Sequence, residues 1–336
     1  MARVTIEDVA ERSGVSVATV SRAIRGLPNV SPATRERVMA AVAELRYRAD
    51  PNASRLATGR TATIGLGVTA IPIWYTGQVI SGVEAVLAAE GYDLSLFLIA
   101  DEEVRHRILG DPSDLSKRVD GLILLDLLPE PCEQSALIEN RLPWVMVGAE
   151  CSIAPSIFID NVQGARRATE HLVELGHTRI GLISGGPASF PTSAPSDRKR
   201  GFLAALHGHG LDLNPLHEQT GNFSAVGGYE AMEAMFTLDE LPSAIFAMSD
   251  EMAMGAMRAI ADRGMSVPGD ISVVGFDDHD LAFAIGLSTV RQDAVALGAR
   301  GARALLSLLS NPAENLGKEL VSTRLIIRES TAAREK

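Results

Sequence analysis

The chain is poor in cysteine, poor in aromatic side chains and without long apolar runs, and each shortage removes a class of protein. Its two cysteines, Cys132 and Cys151, show neither C-x-x-C nor Cys/His spacing, which argues against a disulfide framework, a zinc site or a dithiol redox centre. Two buried thiols are the expectation. The seven histidines show no pairing at metal-ligand spacing, so neither a metal nor another cofactor is expected. No segment stays apolar long enough to span a bilayer, and Met1-Ala2-Arg3-Val4-Thr5 leads into a polar amphipathic pattern rather than an apolar signal core. A cytoplasmic location without membrane contact follows as the expectation. A complete G-x-G-x-x-G, a G-x-x-x-x-G-K-[ST] loop and a G-x-S-x-G elbow are also missing. Gly65-Leu66-Gly67 and Gly185-Gly186 are short glycine pairs that suit tight turns, and no enzyme is expected.

What is present is an ordinary globular composition, 46% hydrophobic and 22% charged over 336 residues, enough for a small domain beside a large or bilobed one. The net charge of −11 is unevenly spread: residues 1–60 carry ten arginines against six acids, a net +4, leaving −15 for the remainder. A basic head on an acidic body confines attraction for phosphate to the head.

In the head, Thr5 is a natural helix cap, and Ile6, Val9 and Ala10 recur at helical spacing up to Ser13, where Gly14 stops the helix. Ser16 caps a second helix, Val17 to Ile24, so Gly14-Val15-Ser16 is a turn of helix-turn-helix length. Val15 and Val20 would pack inward, and Val17, Ala18, Ser21 and Arg22 would face a major groove. Arg22 can grip a guanine edge with two hydrogen bonds, whereas Val17 and Ala18 offer only apolar contact. Thr5, Ser16 and Thr19 suit phosphate contacts. A third helix opens at Ser31-Pro32, with Val38, Ala41, Val42 and Leu45 on one face. By pattern alone, a plain helical bundle with an accidental glycine turn remains an alternative.

The runs Val4-Thr5-Ile6-Glu7-Asp8-Val9-Ala10, Gly14-Val15-Ser16, Ala18-Thr19-Val20-Ser21-Arg22 and Val30-Ser31 resemble the lactose/galactose repressor (LacI/GalR) family. The likeness continues through Thr34-Arg35-Glu36, Leu45-Arg46-Tyr47 and Pro51-Asn52-Ala53-Ser54-Arg55-Leu56-Ala57, and extends over essentially the whole chain. It implies a helix-turn-helix domain over residues 1–50, a hinge helix over 51–60 and an effector-binding, dimerising domain over 61–336. It also adds Asn29 and Tyr47 to the DNA-facing set. Two hinge helices, one per subunit, would form together in the minor groove, with Leu56 wedged into a base step and Ala53 and Ala57 permitting close approach. A polar linker would suit the same residues, since two turns are too short to be stable in isolation. A homodimer on a pseudo-palindromic operator is implied, and the C-terminal stretch lacks a leucine heptad that would favour a tetramer.

Beyond Arg60, short apolar strands alternate with amphipathic helices, the mark of a parallel α/β fold. Strands are expected at 63–68, 94–98, 121–125, 144–147, 179–184, 244–248 and 271–274, and helices at 78–89, 165–175, 199–206 and 251–263. As in periplasmic sugar-binding proteins, the chain would form a two-lobed clamshell, lobe 1 over about 61–160 and 291–322 and lobe 2 over about 161–290 and 323–336. Ligands of such sheets sit beyond the carboxyl ends of strands. Trp74 and Tyr75 there could stack on a sugar ring, with core packing as the alternative. Asp197-Arg198-Lys199-Arg200-Gly201-Phe202 resembles the family segment whose arginine, here Arg198, holds the effector through its planar fork. Phe223, Ser249, Asp250 and Asp277 stand at loop or strand-end positions, with Asp160 a further candidate at the lobe crossing. The family commonly places asparagine where Ser249 stands, which removes a bidentate amide contact. Carboxylates, an arginine and aromatic faces suit a pyranose, polar at its rim and apolar on its faces. A small sugar or glycoside is the expected effector of a repressor. The alternatives are a non-sugar metabolite and a sugar-binding protein with no role in transcription.

Overall fold

Two patterns of apolar residues, one helical and short, the other strand-like and repeated, divide the molecule into two compact units, Met1–Ala62 and Thr63–Lys336. The computed structural model describes residues 4–24, 26–47, 60–185 and 193–334. The expected hinge positions Ala53, Leu56 and Ala57 lie outside the described residues.

The head is three helices, α1 (Ile6–Ser13), α2 (Val17–Ile24) and α3 (Pro32–Glu44). Thr5 and Asp8 form a capping box, Gly14 ends α1 in the left-handed region at φ 67°, and Ser31 caps α3 with Pro32 at its first position. Val9, Ala10, Val20, Ala23, Val38 and Ala41 make the buried core. Such a core of small side chains is modest, and polar clasps supplement it. Arg12 on α1 pairs with Glu44 on α3 at 2.8 Å, and Arg35 donates to the carbonyls of Ala23 and Leu27, each at 2.8 Å, fixing the chain that leaves α2.

The body contains two six-stranded sheets of matching order. In the first, β1 (Thr63–Val68), β2 (Asp93–Leu98), β3 (Gly121–Leu125), β4 (Trp144–Val147), β5 (Ser156–Ile159) and β11 (Lys318–Val321) run in the order β11-β5-β4-β3-β1-β2. In the second, β6 (Ile180–Ser184), β7 (Glu218–Thr220), β8 (Ala244–Ala247), β9 (Ser272–Asp277), β10 (Ser288–Arg291) and β12 (Arg324–Ile326) run β12-β10-β9-β8-β6-β7. All pairings are parallel except β10 with β12. The chain therefore passes between sheets after β5, after β10 and between β11 and β12. We call the sheets with their helices lobe 1 and lobe 2.

Helices flank both sheets: α4 (Trp74–Ala89), α5 (Glu102–Arg105), α6 (Pro131–Glu139), α7 (Asn161–Glu174), α8 (Ala194–Gly208), α9 (Ala225–Met235), α10 (Asp250–Asp262), α11 (Asp280–Ala284) and α12 (Ala294–Ser310). Strands such as Gly121–Leu125, buried along their whole length, carry no period-two alternation because both faces are covered. α4 and α12 pack so closely that a Cβ on Gly82 would strike the Val295 carbonyl and one on Gly298 that of Val79. Cys151 is buried, but Cys132 is exposed, correcting the expectation of two buried thiols. Position one residue into α6, next to its N-terminal Pro131, puts it at the solvent-facing start of that helix. Among the described residues no helix is long and apolar enough to cross a membrane, and no cluster of His, Cys, Asp and Glu could hold a metal.

Candidate functional site

In the head, α2 buries Val20 and Ala23 and turns Val17, Ala18 and Arg22 outward, with Ser21 half-buried between them. Spacings of three and four residues put these on one helical face. The Arg22 guanidinium makes no hydrogen bond or ion pair among the described residues, so its fork is available to an external acceptor, while Val17 is 40% exposed although apolar. The hydroxyls expected to meet phosphate are engaged locally: Thr5 donates to Asp8 at 3.1 Å, and Ser16 and Thr19 share a 2.9 Å hydrogen bond at the start of α2. Asn29 is exposed at φ 71° on the loop after α2, and Tyr47 packs partly buried against the head core.

In the body, strand order reverses between β1 and β3 in lobe 1 and between β6 and β8 in lobe 2, the switch points where open α/β sheets leave a crevice. A cavity of about 310 Å³ lies there, walled from both lobes by residues at the carboxyl ends of strands. Lobe 1 contributes Tyr75, just after the start of α4, and Asp126, directly after β3. Lobe 2 contributes Arg198, Phe223, Glu251 and Asp277, and Asn161 and Gln292 follow two of the crossings. Asp126, Phe223 and Asp277 all have positive φ, 51°, 51° and 123°. Non-glycine residues held there carry backbone strain that the surrounding packing must sustain.

Arg198 is the hub. It is 5% exposed, with Nε donating to Asn161 Oδ1 at 2.8 Å, Nη1 to the Met248 carbonyl, and Nη1 3.7 Å from Asp277. Its guanidinium lies 3.6 Å above the Phe276 ring, and Asp277 also accepts from Gln292 at 2.6 Å. Nη2 has no protein acceptor among the described residues. Burial lowers the guanidinium below its ordinary value, with Asp277 and Asp126 opposing that shift. Burial pushes Asp277 up to about 7, against the pull of Arg198 and Gln292. Asp126 is pushed up to about 6, again by burial, with Arg198 and a hydrogen bond from Tyr75 pulling back. Although deep in the molecule, Asp126 keeps some accessible surface, because it faces the cavity. Desolvation and the neighbouring carboxylates hold the Tyr75 hydroxyl protonated, so it donates to Asp126.

Tyr75, Arg198, Phe223 and Asp277 thus come together on the cavity wall, and four expected positions are corrected. The Asp160 carboxylate is exposed and caps α7, accepting from Gln163 N at 2.8 Å, and its neighbour Asn161 faces the cavity instead. Ser249 lies off the cavity wall and caps α10, accepting from Met252 N at 3.3 Å. Asp250 turns to the loop after β9, accepting from Thr289 Oγ1 at 2.6 Å and His279 N at 2.7 Å. Trp74 lies off the cavity wall and joins the lobes: its backbone N–H donates to Glu251 at 3.2 Å, its indole N–H to Asp280 at 3.2 Å, and its ring lies 4.9 Å from that of His279. Asp126, Asn161, Glu251 and Gln292 were not expected. Asp126 stands directly after an apolar strand, Gly121–Leu125, so the rule that singled out Asp277 applied to it equally.

Comparison with known proteins agrees with this architecture. Residues 5–50 match the lacI family of bacterial regulatory proteins, and residues 169–331 match a periplasmic binding protein-like domain. A probable HTH-type transcriptional repressor, ExuR of Bacillus subtilis (strain 168), is 31% identical over 97% of this chain and 98% of its own length. The Lac repressor dimer bound to operator and the anti-inducer ONPF superposes with a TM-score of 0.86 at 32% identity, covering 99% of this chain and all of that one. A transcriptional regulator CelR–cellobiose complex gives 0.71 at 31% identity, covering 98% of this chain and all of that one. Its relatives are repressors rather than enzymes, and the chain belongs to the LacI family of helix-turn-helix transcriptional regulators with a periplasmic-binding-protein-like effector domain.

Proposed function

We propose that this repressor reads a pseudo-palindromic operator as a homodimer, and that a small sugar or glycoside held between the lobes changes its operator affinity. The observation that carries this reading is the cavity wall itself, where carboxylates, one guanidinium and the rings of Tyr75 and Phe223 meet. Such a set offers acceptors and a donor to hydroxyls and flat faces to a sugar ring. Because the groups come from both lobes, a ligand binds best at one lobe separation. A ligand that prefers one of two conformations shifts their populations by its difference in affinity. Two relatives are solved with the small molecules their descriptions name, cellobiose and ONPF, which supports the class. The exposed apolar side chains of Leu281, Phe283 and Ile285, with Phe283 81% exposed, suit a second copy of the chain.

On the head, Val17, Ala18, Ser21 and Arg22 would meet base edges, and Thr5, Ser16, Thr19, Asn29 and Tyr47 the backbone. Arg22→Ala should weaken operator binding by about 1–3 kcal/mol and relax preference at one base pair. Fluorescence anisotropy on fragments from the protein's own upstream region, at fixed salt and with a panel of mono- and disaccharides, tests the whole reading. Tight, palindrome-dependent binding altered by one sugar supports it. Sequence-blind binding, or operator binding that only a non-sugar metabolite alters, counts against it.

A further inference from the structure

The cavity is unbalanced in charge. Among the described residues on its wall, three are carboxylates, Asp126, Glu251 and Asp277, and one is a cation, Arg198. The three acids are not equivalent. Asp277 has Arg198 at 3.7 Å and Gln292 at 2.6 Å, and Glu251 accepts the Trp74 backbone N–H at 3.2 Å. Among the described residues, Asp126 has only the Tyr75 hydroxyl as a side-chain hydrogen-bond donor. A side chain at Gly148 would occupy the position of the Asp126 carboxylate, so the absence of a Cβ there is what gives the acid its room. Arg198 commits Nε and Nη1 to Asn161, the Met248 carbonyl and Asp277, so that Asp277 offsets its charge and Nη2 is left, among the described residues, as its one free donor against three carboxylates.

Building on the sugar reading above, we propose that the cavity takes uncharged sugars and rejects anionic ones, and that Asp126 is the residue imposing this choice. Its unmet acceptor capacity suits a pair of adjacent hydroxyls, and its charge opposes the carboxylate of a uronate or the phosphate of a sugar phosphate. Two like charges about 4 Å apart repel by several kcal/mol at the effective dielectric of a protein interior. Burial raises the proton affinity of Asp126, and Arg198 and Tyr75 pull it back only in part. Tyr75 of α4, Arg198 of α8, Glu251 of α10 and Asp277 of β9 are the ionisable groups around it, and only Arg198 favours its ionised form by charge.

The test uses matched sugars on the full-length protein by titration calorimetry at about pH 7.5, above the range in which Asp126 titrates. The sets are D-glucose, D-glucuronate and D-glucose 6-phosphate, the same three for D-galactose, and cellobiose and lactose as larger neutral probes. At least one neutral sugar should bind about tenfold or more tightly than its anionic counterparts. Asp126→Asn, with folding checked by its thermal transition, should shrink that ratio about fivefold or more. An anionic sugar binding as tightly as its neutral parent overturns the inference in the unaltered protein, whatever the variant does. An unchanged ratio in folded Asp126→Asn removes Asp126 from the role. If no sugar in either series binds, the sugar reading itself falls, and this inference with it.

Discussion

The two lobes repeat one strand order yet treat buried charge in opposite ways. Lobe 2 holds Arg198 in a dense network, with Asn161, the Met248 carbonyl, Asp277 and the Phe276 ring engaging all of it but Nη2, and Gln292 completes Asp277. Lobe 1 presents Asp126 with a single side-chain donor among the described residues, Tyr75. A satisfied network is pre-organised and rigid, whereas an under-satisfied acid gains from whatever arrives with hydroxyl donors. Lobe 2 is therefore the anchoring half of the cavity, and lobe 1 the half whose state depends on the ligand.

The strongest way to break this contrast is Arg198→Met. Removing one partner of a buried pair leaves the other uncompensated, at a cost of about 3–5 kcal/mol, which Asp277 can reduce by taking up a proton. We expect lower resistance to urea, a smaller loss at acidic than at alkaline pH, and a fall in sugar affinity of about a hundredfold. Unfolding curves and calorimetry check both. Sugar affinity within a few-fold of the unaltered protein would show that lobe 2 is not the anchor.

Asp126→Asn should act in the opposite direction on stability. With the folded carboxyl at about 6 against an ordinary 3.8, ionisation is harder in the folded chain. This acid therefore stabilises most where it is protonated in both states, and that contribution declines as pH rises from about 4 to about 6. Asparagine cannot ionise, so the variant's advantage should be small near pH 4, grow up to about pH 6 and stay constant above. The full shift corresponds to about 3 kcal/mol, and the accessible face on the cavity reduces it to roughly 1–2 kcal/mol. Urea unfolding across this range measures it. An advantage that is absent at neutral pH, or shrinks as pH rises, would mean that Asp126 is not an under-satisfied acid.

The same contrast explains what could be read from the sequence. The head was legible almost to the residue because its signals are local: a cap at Thr5, a stop at Gly14, a cap and proline at Ser31-Pro32. The fully buried strands β1, β3 and β4, and the edge strand β2, were legible as apolar runs between turn residues. β5, β7, β10, β11 and β12 were not, being three or four residues long and stabilised by a neighbouring strand more than by their own pattern. α12 was missed although it is amphipathic, because Gly298 and Gly301, which close packing on α4 and β4 demands, read as breaks in a helical pattern. At the site, Arg198 stood out through the family resemblance of its segment and Asp277 through its place at the end of an apolar strand. Whether Ser249 and Asp250 face the cavity or the helix start depends on side-chain direction at a cap, which strand-end position alone does not determine.

The smallest expected effect concerns the link between the lobes. Trp74 reaches from α4 of lobe 1 to Glu251 and Asp280 of lobe 2, and its ring lies beside His279. Trp74→Phe keeps an aromatic ring and the backbone N–H but removes the indole donor to Asp280. One partly exposed hydrogen bond to a carboxylate is worth about 0.5–1.5 kcal/mol, so sugar affinity should fall about two- to tenfold if closure of the lobes forms that bond. The chain has two tryptophans, and the other, Trp144, is 6% exposed within β4. Trp74 should therefore carry most of any change in tryptophan emission when sugar closes the lobes. Loss of that change in Trp74→Phe, with a modest loss of affinity, would identify this contact as one that forms on closure. A full-sized emission change in the variant would assign the signal to Trp144 and leave the Trp74 contact as fixed packing, equally present with the lobes open or closed.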